Sequence, residues 1–174
     1  YKIKTWRLPA GGRNARGRPI VNVLPIAAGV SIAAIMPVER DEAEWADLQI
    51  FFATSQGDVR RNALSDFTNV MRNGKIAMKL PEGVRLVNAR SCDAGEDVML
   101  VTSGGRAIRF PTTEVRVFKG RDSTGVRGIR LAEADAVVSM AVLRHFEASS
   151  EARAAYLKWK RATAQAEGAE AVVE

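Results

Sequence analysis

The residues of this chain are best equipped for gripping phosphate. Gly11-Gly12-Arg13-Asn14-Ala15-Arg16-Gly17-Arg18 sets three guanidinium groups, Arg13, Arg16 and Arg18, on one glycine-rich stretch. Glycine lets a backbone approach an anion and leaves N–H donors free, while arginine meets phosphate oxygens with a planar fork. Arg61, Lys75, Arg106, Arg109, Lys119, Arg121, Arg127 and Arg130 fall in corresponding loops or strand ends further along. Repeated basic loops of one kind suit contacts to the backbone of a duplex rather than to base edges, and a curved track that bends it.

Covalent and acid–base chemistry lack their parts. A serine or cysteine nucleophile needs a base. The single histidine, His145, follows a strand-like run and precedes a helical one, which suits a structural or capping role. Asp93, Glu96 and Asp97 lie in a polar turn, where carboxylates are solvated. Cys92 stands alone, so it offers neither an internal disulfide nor a metal set and fits a reducing cytoplasm. No P-loop, dinucleotide fingerprint or zinc spacing occurs, and Gly125-Val126-Arg127-Gly128 is only a bare GxxG. The expectation is a stretch with no active site, metal or cofactor of its own.

The elements that must hold these arginines announce themselves by repetition. Thr54, Ser55, Gly57 and Arg61 correspond to Thr102, Ser103, Gly105 and Arg109 at a constant offset of 48. Each phrase leads to a second one, Asn73-Gly74-Lys75-Ile76-Ala77-Met78-Lys79-Leu80 and Thr124-Gly125-Val126-Arg127-Gly128-Ile129-Arg130-Leu131. A period near 50 residues, built of short apolar runs and glycine turns, predicts blades of a propeller-like array. Units are expected at about 1–31, 32–80 and 86–131, the last with a longer loop around Lys119-Gly120-Arg121.

Within the units, Ile50–Ala53 and Val98–Val101 read as buried strands, with hairpin partners at Val59–Arg61 and Ala107–Phe110. Strands are also expected at Tyr1–Trp6, Ile20–Leu24 and Val137–Leu143, and after each of Gly17, Gly74 and Gly125. Glu39–Leu48 reads as an acidic connector or short helical turn. Phe51, Phe52, Phe67 and Phe110 fall at core positions, and 6% aromatic content is too sparse for base-stacking platforms. From Glu147 to Ala166 glycine and proline vanish, and Ala152, Ala155, Tyr156 and Trp159 space as on a helix. Ser149 or Ser150 would cap it, and it should end before Gly168, with 170–174 a frayed linker.

Composition sets the outer bounds. The 174 residues are 47% hydrophobic, ample for a core, and no apolar run approaches the length of a membrane helix. The chain opens at Tyr1 without an initiator methionine or signal pattern, so it reads as cut from a longer protein. Net charge is +6, and its distribution is uneven. Residues 1–30 hold six basic groups and no acidic one, and 98–131 hold seven against two, whereas 31–48 and 81–97 are acidic connectors. Positive charge gathers in the repeated phrases, which points to a polyanionic partner.

Three phrases carry a resemblance. Arg16-Gly17-Arg18-Pro19-Ile20-Val21-Asn22, Asn73 to Lys79 and Ser123 to Leu131 closely resemble, in order, the C-terminal domain of DNA gyrase A subunits. The likeness covers about residues 1–146, and the 147–174 segment resembles a helical insertion associated with alphaproteobacterial members. The resemblance implies an all-β fold of β-pinwheel blades, two to three of them here, followed by a C-terminal helix. It implies a non-catalytic part of a type II topoisomerase whose basic rim binds double-stranded DNA largely irrespective of sequence and wraps it to support negative supercoiling. ATP and Mg2+ would act elsewhere in the holoenzyme, and the gyrase B subunit and a second A subunit would be met through other parts of the protein. The DNA contacts carried over are Arg13, Arg16, Arg18, Arg61, Lys75, Arg109, Arg121 and Arg127.

Two departures bear on that likeness. The family's Gln-Arg-Arg-Gly-Gly-Lys-Gly box is not present, Gly11–Arg18 being a degenerate echo of it, and neither Tyr1 nor Tyr156 has the setting of a DNA-cleaving tyrosine. The rival readings are the matching domain of topoisomerase IV and a propeller-like protein-interaction scaffold. The scaffold would show exposed apolar patches and be indifferent to DNA.

Overall fold

The computed structural model describes residues 1–27, 29–38 and 41–170, and the side chains of the last helix as far as 165. It divides into a β-rich unit, 1–144, and a helical unit from His145 onward. Two sheets make up the first. One is built on a hairpin of β1 (Gln49–Thr54) and β2 (Asp58–Ala63), the other on β4 (Glu96–Thr102) and β5 (Ala107–Pro111).

Neither hairpin is self-sufficient. Strand β3 (Leu86–Cys92) adds antiparallel to β1, while the short β6 (Val117–Phe118) and β7 (Val126–Arg127) both pair with β2, β6 in parallel. The first sheet therefore draws three strands from beyond residue 85. In the second, β8 (Val137–Arg144) covers the free side of β4. The strand order is β3-β1-β2-β6 in one and β5-β4-β8 in the other. Each hairpin leaves N–H and C=O groups open along its edges, and later chain supplies them with partners.

The pleat of β1 explains its unbroken apolar run. Successive residues point to opposite faces, and here both faces are covered. Phe51 and Ala53 enter one cluster with Val59, Val98, Leu100, Val115, Phe118, Val137 and Met140, which glues the two sheets together. Ile50 and Phe52 enter the other, with Trp45, Leu64 and Met78. The four phenylalanines pack as expected, Phe51 beside Phe110 at 6.4 Å and Phe52 edge-on to Phe67 at 6.2 Å between ring centres.

The repeated Thr-Ser phrase proves to be one device used twice. The Gly57 and Gly105 N–H groups close the turns onto the Thr54 and Thr102 carbonyls at 3.0 and 3.1 Å. The Ser55 N–H then donates to Arg85 O, and the Ser103 N–H to Ala136 O, both at 2.8 Å. Each hydroxyl completes the pair by accepting from the N–H of the same partner, Arg85 at 3.0 Å and Ala136 at 3.2 Å. A serine at the turn thus latches the segment leading into the next borrowed strand.

The first unit departs from expectation. Tyr1–Trp6 and Ile20–Leu24 are not strands: Thr5–Arg7 and Ile20–Asn22 form single 3-10 turns. Among the described residues neither finds a neighbour to pair with, and an alternating pattern without a partner cannot hold a ladder. Side chains tie the segment down instead. The Tyr1 hydroxyl donates to Pro25 O at 3.3 Å, and Lys2 Nζ meets Glu42 Oε1 at 2.7 Å and Thr68 O at 2.5 Å. Of the three glycine phrases only Gly125 precedes a strand, β7; the segments after Gly17 and Gly74 carry none.

The acidic connector contains a 3-10 turn, Glu42–Ala46, capped by Asp41 accepting from the Ala43 N–H at 2.9 Å. The helix α1 spans Ser150–Glu170, running through Gly168 rather than stopping before it. Ser149 caps it, its hydroxyl accepting from the Ala152 N–H at 3.1 Å. Of the expected frayed linker, 170–174, Glu170 belongs to the helix, and 171–174 lie outside the described residues.

Candidate nucleic-acid interface

The arginines expected at the rim divide by their surroundings. Arg13, Arg16 and Arg18 are exposed on the loop between the two 3-10 turns, bent by the Ala15 N–H donating to Gly12 O at 2.9 Å. Arg127 is exposed on β7, and Arg109 on the edge strand β5, where its Nε lies 3.5 Å from Asp97 Oδ2, diagonally across the ladder. Arg121 is half-buried in the loop after β6. Arg106, Arg116 and Arg130 are exposed as well.

Two expected contacts turn inward. Arg61 is only 7% exposed, because it shares with Phe51 the face of the first sheet that packs against the second. Lys75 is half-buried, its ammonium donating to Asp66 O at 2.6 Å and Asn69 O at 3.1 Å and so tying a turn together. The repeat makes Arg61 look equivalent to Arg109, and it sets Lys75 at the place of Val126, next to Arg127. Burial distinguishes them: β2 is covered on both edges and both faces, while β5 is an edge.

The residue that sequence reasoning missed is Arg60. It is 1% exposed, yet its guanidinium finds four acceptors. Nε donates to Asn62 Oδ1 at 2.8 Å, Nη1 to Ser123 O at 2.5 Å and Ser123 Oγ at 2.9 Å, and Nη2 to Gly120 O. Asn62 reinforces the grip, its Nδ2 donating to Phe118 O at 2.9 Å and Gly120 O at 3.2 Å. The Phe118 ring has two guanidiniums near it, with Arg60 Cζ 4.8 Å and Arg116 Cζ 4.3 Å from its centre. Arg60 therefore clasps the 119–123 loop that carries Lys119 and Arg121. Burial pulls its pKa below the ordinary arginine value; Asp122 opposes this, and Arg116 and Arg121 add to the lowering. Three guanidiniums thus share one neighbourhood. The available signal was Arg60 following the apolar Val59 in a run read as a hairpin partner strand.

Near the second turn, Asp135 accepts from Ser103 Oγ, the Gly104 N–H and the Ala136 N–H, each at 2.8 Å. Hydrogen bonding, led by the Thr102 hydroxyl and the Gly104 N–H, lowers its carboxyl to about 2 against the opposing push of desolvation. This carboxylate is spent on folding the turn. Among the described residues no three His, Cys, Asp or Glu side chains gather as a metal site, and no helix is long and apolar enough to cross a membrane.

Hairpins completed by strands from later chain, latched by a repeated Thr-Ser turn and carrying arginines on loops and edges, define a propeller-like β array with basic margins. Comparison with known proteins narrows this. Residues 1–39, 49–93 and 96–144 match the family described as DNA gyrase C-terminal domain, beta-propeller. The chain belongs to that family.

Its relatives agree. The DNA gyrase A subunit of Granulibacter bethesdensis is 51% identical over 164 residues, 93% of this chain and 17% of that protein. The Rickettsia bellii counterpart is 43% identical over 98% of the chain, and that of Escherichia coli 41% identical over 83%. The chain spans less than a fifth of the length of these relatives, at 16–19%. Among solved structures, the C-terminal domain of DNA topoisomerase IV superposes with a TM-score of 0.66 at 25% identity, over 74% of this chain and 39% of that one. The DNA gyrase A C-terminal domain gives 0.61 at 23% identity over 74% and 41%. The family match stops at residue 144, before α1, whereas the alignment with Rickettsia bellii runs through the helix.

Proposed function

We propose that this chain is a DNA-wrapping part of a DNA gyrase A subunit. It does no chemistry of its own; it binds duplex DNA through phosphates and bends it along the basic margin of the β array. The observation that carries the reading is the display of Arg13, Arg16, Arg18, Arg109, Arg121 and Arg127 on loops and edges of a gyrase-family fold. Arg61 and Lys75 are set apart as internal supports. In the whole enzyme, an ATP-dependent type II topoisomerase of the bacterial cytoplasm, the cleavage chemistry and ATP hydrolysis fall to other parts of the A subunit and to the B subunit. Two A subunits complete the assembly.

The test is end-to-end energy transfer on duplexes of increasing length, titrated with the chain at several salt concentrations. Salt-sensitive approach of the two ends is expected, since each neutralised phosphate releases about 0.9 counterions. Binding without approach of the ends would leave a basic tether and remove bending from the proposal.

A second reading rests on the exposed apolar side chains Trp6 (77%), Ile35 (81%), Met71 (76%) and Ile76 (73%). Such a surface suits a protein-interaction scaffold. Within the wrapping reading, the same surface packs against other parts of the A subunit, of which this chain is under a fifth. A folded chain that is indifferent to DNA at low salt would decide for the scaffold. Topoisomerase IV shares the fold, but the relatives at 41–51% identity are gyrase A subunits.

A further inference from the structure

Helix α1 lies beyond the family match and forms a unit of its own. It is a well-started helix: besides the hydroxyl cap, the Arg153 N–H donates to Ser149 O at 3.0 Å. Residues 150–166 carry Arg153, Lys158, Lys160 and Arg161 against one acid, Glu151, and all five are exposed. Their spacing is not random. Arg153, Leu157, Lys160, Arg161 and Ala164 stand at i, i+4, i+7, i+8 and i+11, one stripe of a helix with 3.6 residues per turn. Glu151 and Lys158 fall on the opposite side. The Tyr156 and Trp159 rings pair outside the stripe with centroids 5.8 Å apart and stay more than half exposed.

We propose that this stripe is a second contact for duplex DNA, in addition to the arginines of the β array, with Arg153, Lys160 and Arg161 taking phosphates. The proposal rests on the DNA-wrapping reading. Charge complementarity selects the occupant. The stripe offers three cations and only Leu157 and Ala164 as apolar surface, too little to bury against a protein groove. From residue 153 to 161 the helix rises about 12 Å. Duplex DNA presents a charge about every 1.7 Å along its axis, so several phosphates lie within reach of the three side chains. Arginine and lysine need no base sequence for this, in keeping with a wrapping surface.

The experiment compares three forms of the whole chain: unaltered, R153Q/K160Q/R161Q, and R13Q/R16Q/R18Q, with helix content checked by circular dichroism. The slope of log K against log salt is measured on one duplex. The helix variant is expected to lose about 2–3 units of slope, near 0.9 for each phosphate contact removed. An unchanged slope in the helix variant, alongside a loss in the loop variant, overturns the proposal and leaves the wrapping reading standing. No binding by the unaltered chain overturns both. A photo-crosslinking side chain at position 157 in the full-length protein gives an independent readout. DNA adducts are expected, and adducts to protein alone would reassign the stripe to a protein partner.

Discussion

At the scale of single residues, the chain separates arginines that face outward from two that are buried, Arg60 and Arg61. Arg60 holds four acceptors from a position that is 1% exposed, so water has little room to replace it. Arg60→Met should keep the volume and lose the donors, costing about 1–3 kcal/mol through the stranded Asn62 Oδ1 and the lost bonds to Ser123 and Gly120. It should also weaken DNA binding by freeing the loop that bears Arg121; thermal unfolding and a salt titration on one sample would read both. If binding dropped while stability held, the clasp would not be what holds the loop. Asp135 gives a pH signature. Its folded pKa, about 2, lies below the unfolded value near 3.9. Its stabilising effect is therefore present above about pH 4 and fades as pH falls toward 2. Asp135→Asn should be less stable at neutral pH and should lose that part of the acid dependence, as followed by tryptophan fluorescence. Burial pushes the Cys92 thiol up to about 12, so it should resist thiol reagents until the fold opens.

At the scale of elements, strand exchange depends on close approach of backbones. Gly125 has φ +105°, and a β-carbon there would stand 2.2 Å from Val59 O. Only glycine lets β7 come alongside β2. Gly125→Val should cost at least about 3 kcal/mol through strain and clash. Gly120, by contrast, faces open space at its Cβ direction, and Gly120→Ala should be nearly silent. Equal melting temperatures for the two variants would remove the close-approach argument. The hairpins, their turns and the capped helix were legible because their signals are local: apolar runs, Ser-Gln-Gly-Asp and Ser-Gly-Gly-Arg turns, and a serine before Glu151. The strands expected at Tyr1–Trp6 and Ile20–Leu24 failed because a strand is a relation between two segments, and alternation describes only one of them.

At the scale of the whole molecule, one core serves both sheets, with Phe51 fully buried against Phe110. Phe51→Ala should cost about 3–5 kcal/mol and loosen both sheets together, visible as parallel loss of hydrogen-exchange protection in β1 and β4. Protection lost in β1 alone would mean that the sheets fold independently. The repeat, its period, the turn chemistry, the gathering of arginine in the repeated phrases and the family likeness are all written in the linear chain, since each is a property of neighbours along it. Which arginines are free to meet a partner was decided by tertiary packing. Arg61 and Arg109 occupy the same place in the repeat, yet β2 receives β6 and β7 along the edge that β5 leaves open. Packing also turned Arg60 into a clasp and Lys75 into a tie. Burial is set by what packs across a sheet, often 60 residues away as for Arg60 and Gly120, and no local pattern encodes that distance.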